Sequence, residues 1–146
     1  AQAVIARLGK VPDTLPTVFY KEAPPIRTTL KKEVKQKKDL VGVDIFLNWD
    51  EGSPEQLGKE IEKFAVGNLD LKVITNRGVK VYPGGFPETF CTDHWRCRFL
   101  GNEGDSFEPA QIAELYNKVV TSGVDVIKTE NLYTFDGEPG FSSVHG

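Results

Sequence analysis

Methionine is absent from the 146 residues of this chain, and cysteine, histidine and tryptophan number two each. Two cysteines without a secretory context make no disulfide framework and are read as reduced thiols. Beyond the cluster of Cys91, His94 and Cys97 only His145 is left, so no second Cys/His pair is available to complete a structural zinc site. No apolar run approaches the ~20 residues of a membrane span, and the N-terminus lacks the zones of a signal peptide. The expected location is therefore the cytoplasm, with no membrane partner. The net charge of -3 argues against a dedicated nucleic-acid binder. An open reading frame begins with methionine, so its absence suggests that residue 1 was set by cutting a longer polypeptide. What remains is an ordinary globular composition, in a length that suits one domain with a real core.

The charge is unevenly spread. Residues 1–40 hold nine Lys and Arg against four Asp and Glu, which leaves nine against seventeen for the rest. The basic excess gathers at Lys31, Lys32, Lys35, Lys37 and Lys38, which reads as the solvated face of a linker. Val4, Ile5 and Leu8 share one helical face and Gly9 follows where a helix would end, so the opening resembles the last turns of a helix. Pro12, Pro16, Pro24 and Pro25 then forbid a continuous helix and suit an extended connection. The compact domain should begin near Asp39.

Within that domain the periodicities alternate. Val41, Val43, Ile45 and Leu47 form one apolar face of a strand over 40–47, with Asp44 and Phe46 on the other. Ser53, Pro54 and Gln56 are the N-cap, first residue and third residue of a capped helix. Leu57, Ile61, Phe64 and Ala65 make its buried stripe, and Gly67-Asn68 ends it. Strands over 69–75 and 79–82 flank the turn Asn76-Arg77-Gly78, and a third main strand runs over 94–100. A second helix over 109–121 carries Ile112, Leu115, Tyr116 and Val119 on its apolar face, and a last strand covers 124–135. The order strand, helix, strand, strand, helix, strand predicts an α+β, ferredoxin-like split β-α-β sandwich with an extended N-terminal segment. On that plan the first and third main strands are expected as parallel central neighbours, with both helices on one face. Asp44, Arg96 and Arg98 would then meet on the open face as a charge-paired ladder.

The chemical motifs carry less. Cys91, His94 and Cys97 are spaced like metal ligands, but His94 and Cys97 differ by an odd number and would point to opposite faces of a strand. A Cys-His nucleophilic pair, Cys91 with His94 or His145, lacks an orienting third group. Turn chemistry accounts for Asn76-Arg77-Gly78, for Asp136-Gly137 and for Glu138-Pro139-Gly140. Pro83-Gly84-Gly85 has no Lys-Ser/Thr or helix start after it, so it is no phosphate loop. Nothing assembles nucleophile, base and charge stabiliser, so the expectation is no catalytic, cofactor-binding or metal-binding residue in this chain.

Several ordered blocks do resemble a known family. They are 41–46 (Val-Gly-Val-Asp-Ile-Phe), 57–62 (Leu-Gly-Lys-Glu-Ile-Glu), 74–83 (Ile-Thr-Asn-Arg-Gly-Val-Lys-Val-Tyr-Pro), 93–100 (Asp-His-Trp-Arg-Cys-Arg-Phe-Leu) and 135–141 (Phe-Asp-Gly-Glu-Pro-Gly-Phe). Together they are similar to the C-terminal extension of long-chain bacterial isocitrate dehydrogenases of the Thermus type. The resemblance implies that residues 1–12 end the terminal helix of a missing catalytic core, 13–38 form a Pro/Lys-rich linker, and 39–146 are a ferredoxin-like C-terminal domain. It implies a parent enzyme that oxidises isocitrate to 2-oxoglutarate and carbon dioxide with NADP or NAD and Mg or Mn. Its partners would be the catalytic core of the same polypeptide and a second subunit, so that the parent is a homodimer. The extension would serve association and stabilisation through a candidate interface of Asp44, Phe46, Arg96 and Arg98. The alternative is a small-ligand sensor, with a pocket near Asn76-Arg77-Gly78 and the loop before the first helix.

Overall fold

The computed structural model describes Pro25 and residues 35–143. The helix end expected at 1–12 and the linker expected at 13–38 therefore fall almost wholly outside the described residues. The elements are β1 (Lys38–Asn48), α1 (Pro54–Ile61) with a 3-10 turn (Glu62–Phe64), β2 (Asp70–Asn76), β3 (Val79–Tyr82), β4 (His94–Leu100), α2 (Pro109–Thr121), β5 (Asp125–Phe135) and β6 (Glu138–Pro139).

Local chemistry explains where they start and stop. Ser53 and Gln56 cap α1 reciprocally: Gln56 N–H donates to Ser53 Oγ at 3.3 Å and Ser53 N–H to Gln56 Oε1 at 2.8 Å. At α2, Glu108 N–H donates to Gln111 Oε1 at 2.8 Å, and Pro109 follows where a missing N–H costs nothing. Arg77 (φ 54°) with Gly78 (φ 77°), and Asp136 (φ 50°) with Gly137 (φ 81°), form two-residue hairpin turns whose left-handed backbone matches the twist of the paired strands.

The strands form one sheet in the order β3-β2-β4-β1-β5-β6, and every pairing is antiparallel. This corrects the expected parallel pairing of β1 with β4. β1 and β2 point the same way across the α1 connection; β4 lies between them and runs opposite to both. The register is Val43 to Phe99, Ile45 to Cys97 and Leu47 to Trp95, all on one face. Those six residues share a core with Leu57 and Ile61 of α1 and Ile112, Leu115 and Val119 of α2. Both helices thus cover the same side of the sheet. Burying each large apolar side chain there stabilises the fold by roughly 1.5–3 kcal/mol. Tyr116, expected on the buried stripe of α2, is instead exposed.

Candidate functional site: the sheet face away from the helices

Even-numbered residues of β1 and β4 point away from the core, and their cross-strand partners form two neighbouring rows. One row reads Val73, Arg98, Asp44, Glu130; the other reads Thr75, Arg96, Phe46, Lys128. All four candidate interface residues lie in these rows, but their environments differ.

Asp44 and Arg98 are buried, at 1% and 4% exposure. Arg98 meets the carboxylate with two parallel contacts, Nε to Oδ1 at 2.8 Å and Nη2 to Oδ2 at 2.9 Å. Its remaining nitrogen, Nη1, donates to the Ser142 carbonyl at 2.7 Å, and the guanidinium lies 5.1 Å from the ring centre of Phe141. The segment after β6 therefore folds over this row. It is anchored by Gly140 N–H donating to the Tyr133 carbonyl at 2.8 Å. A planar guanidinium suits such a site because its fork satisfies both carboxylate oxygens and still has a donor to spare.

The second row is more open. Phe46 is 9% exposed, tilted against the His94 imidazole at 5.7 Å between ring centres, with Lys128 Nζ 4.5 Å above its ring. Lys128 also pairs with Glu130 at 3.0 Å. Arg96 is half-buried and donates its Nε to Thr75 Oγ1 at 3.1 Å.

The residues of the metal-like spacing separate. Cys97 is fully buried on the helix side beside Ile45, whereas His94 stands exposed against Phe46 on the opposite side. Burial, reinforced by the charge of Asp44, pushes the Cys97 thiol far up. Cys91, half-buried, is raised by burial while Arg77 acts in the opposite direction. His145 lies outside the described residues. Among the described residues no group of three or more His, Cys, Asp or Glu is placed to hold a metal ion. The turn and the loop expected to frame a sensor pocket line separate recesses: Arg77 and Gly78 border one, and Trp49 and Glu51 border others beside α1 and β5.

Two features escape a reading of the chain in one dimension. Asn76, assigned to turn chemistry, is buried and clamps the loop before β4. Its Nδ2 donates to the Thr92 carbonyl at 2.8 Å, and its Oδ1 accepts from Thr92 N–H at 2.9 Å. Phe141 and Ser142, just past the expected turn at 138–140, cover the Asp44–Arg98 pair. An Asn and a Phe beside glycines carry no signal for either role, since both depend on partners brought up by the fold.

The described residues thus form a small α+β domain built on one antiparallel sheet, with its distinctive chemistry in charge pairing on the face away from the helices. Residues 38–146 match the family model described as bacterial isocitrate dehydrogenase, C-terminal domain, and the chain belongs to that family. An NADP isocitrate dehydrogenase of Rickettsia conorii is 36% identical over 149 residues, spanning 100% of this chain and 31% of that protein. The NADP isocitrate dehydrogenase of Thermus thermophilus is 38% identical and aligns with 99% of this chain and 29% of its own length. A crystal structure of a Thermus thermophilus protein superposes with a TM-score of 0.75 at 37% identity, covering 98% of this chain and 29% of that one. The chain therefore spans less than a third of the relatives it matches.

Proposed function

We propose that this chain is the C-terminal domain of an NADP-dependent isocitrate dehydrogenase, and that the domain serves subunit association and stabilisation. The observation that carries the reading is the alignment of the whole chain with 31% of a named isocitrate dehydrogenase. The parent would oxidise isocitrate to 2-oxoglutarate and carbon dioxide in the cytoplasm, with Mg or Mn held by its catalytic core. The domain would begin near residue 39, behind a linker and the last helix of that core. The sheet order β2-β4-β1-β5, with α1 and α2 on one side, supports the ferredoxin-like split β-α-β description, extended at its edges by β3 and β6.

On this reading the uncovered face contacts the core or a second subunit of a homodimer. Phe46 and Arg96 would supply the contact, while Asp44 and Arg98 hold the covering segment in shape. The test is sedimentation velocity on the full polypeptide and on a version ending at residue 37, together with isocitrate-dependent NADP reduction. Activity in the full polypeptide and a weaker dimer in the shortened one are expected. A full polypeptide without that activity would overturn the parent assignment, and an equally tight shortened dimer would overturn the association role.

A further inference from the structure

The two rows on the uncovered face differ in how their charges are satisfied. In the covered row Asp44 takes both forks of Arg98. In the open row Arg96 is fixed by Thr75 through its Nε, and no carboxylate lies within salt-bridge distance of it among the described residues. The same holds for Arg77 on the β2–β3 turn and for His94 at the start of β4. These three side chains surround a recess of ≈ 190 Å³ completed by Phe46, Thr75 and Gly78. No acidic side chain lines it.

Such a gathering is unexpected on an acidic domain, since residues 41–146 hold nine Lys and Arg against seventeen Asp and Glu. The Arg77 guanidinium lies 5.7 Å from the ring centre of Phe90 at the edge of this recess, and an anion there would gain charge-assisted hydrogen bonds from both arginines. Fixing Arg96 through Nε leaves its terminal nitrogens as donors, the geometry in which arginine receives a carboxylate or phosphate. The recess has the volume of roughly six water molecules. It falls below the ~300–1,000 Å³ of sites for larger ligands, which favours a small one.

We propose that this recess binds a small anion bearing two or more phosphate or carboxylate groups, held between Arg96 and Arg77 against the ring of Phe46. The proposal concerns the surface named above for association, but it rests on the recess and not on the parent enzyme's activity. An anion here would also neutralise cations that could otherwise be buried at a contact only at a large desolvation cost.

Isothermal titration calorimetry on the full polypeptide, at constant ionic strength, tests it with inorganic pyrophosphate in one arm and citrate in the other. Arg77 has a left-handed backbone that asparagine also adopts, so Arg77→Asn removes the charge without straining the turn. A saturable site for at least one anion is expected, weakened threefold or more by Arg77→Asn and tenfold or more by Arg77→Asn with Arg96→Gln. Lys63→Gln, which alters a cation paired with Glu60 beside α1, should leave that site unchanged. The arm whose binding weakens in Arg77→Asn identifies phosphate or carboxylate as the preferred group. Absence of saturable binding in both arms, or binding unaltered by Arg77→Asn and by the double variant, overturns the proposal. Isocitrate-dependent NADP reduction measured on the same wild-type polypeptide separates the two readings: its absence overturns the parent assignment and leaves the anion site standing.

Discussion

Asp44 and Arg98 show what a single pair of residues contributes once it is removed from water. Each is almost wholly buried, so neither charge is tolerable without the other. Arg98→Met alone should destabilise the protein by about 3–5 kcal/mol, because it strands a buried carboxylate. Adding Asp44→Leu should recover most of that loss, since a well-packed apolar pair of similar volume is often neutral or better. Urea denaturation of the single and double variants measures both, and equal losses in the two would contradict the account. The cysteines make a second residue-scale contrast. Cys97 is raised by burial and enclosed, while Cys91 is half-buried beside a loop. Native protein should react with a thiol reagent at Cys91 and resist at Cys97, as peptide mapping would show, and denaturation should equalise them. The alternation of Trp95, Cys97 and Phe99 with Arg96 and Arg98 already indicates in the sequence which thiol is buried. That Arg98 pairs while Arg96 does not is invisible there, because only the β1–β4 register sets Asp44 opposite Arg98.

At the scale of elements, α1 and β3 meet through an absence. A Cβ on Gly58 would enter the Tyr82 ring, so glycine permits β3 to lie against the helix despite its poor helix propensity. Gly58→Ala should therefore destabilise by about 1–3 kcal/mol through overpacking. In a Tyr82→Ala background the same change should stabilise by up to about 1 kcal/mol, because only the propensity gain is left. Thermal melts of the four proteins would show the reversal, and a common sign in both backgrounds would rule the contact out. Tyr82 also donates its hydroxyl to Glu62 Oε2 at 2.8 Å, which with burial and the charges of Glu62 and Glu55 raises its pKa above the ordinary 10.0. A raised folded value means the phenol's contribution is present below about pH 10 and is lost as pH rises through that higher value. Tyr82→Phe should accordingly flatten the fall of stability above pH 10, followed by urea midpoints between about pH 9 and 11.

For the whole molecule, the last described residues decide which part of the sheet is accessible. Phe141 and Ser142 close over the covered row and, among the described residues, leave Arg96 half-buried and His94 exposed beside it. Ending the chain after Pro139 should cost about 1.5–3 kcal/mol, the worth of a hydrogen bond to a charged group, through loss of the Ser142 carbonyl. Guanidinium unfolding of the shortened protein checks this, and an unchanged midpoint would mean that the segment does not cover Arg98 in solution.

The sequence by itself determined the local grammar of this protein. Period-two runs marked β1 and β4, Ser53 with Gln56 marked the start of α1, and glycines marked the hairpin turns, because each depends on residues near one another in the chain. Ordered blocks over most of its length were also enough to indicate the isocitrate dehydrogenase C-terminal family. Only the tertiary structure decided that β4 runs antiparallel to β1, since alternation reads the same in either direction along a strand. It likewise decided the burial of Asp44 with Arg98 and the partial exposure of Arg96, because accessibility is set by what folds over a residue. Here that is a segment 44 positions further along the chain.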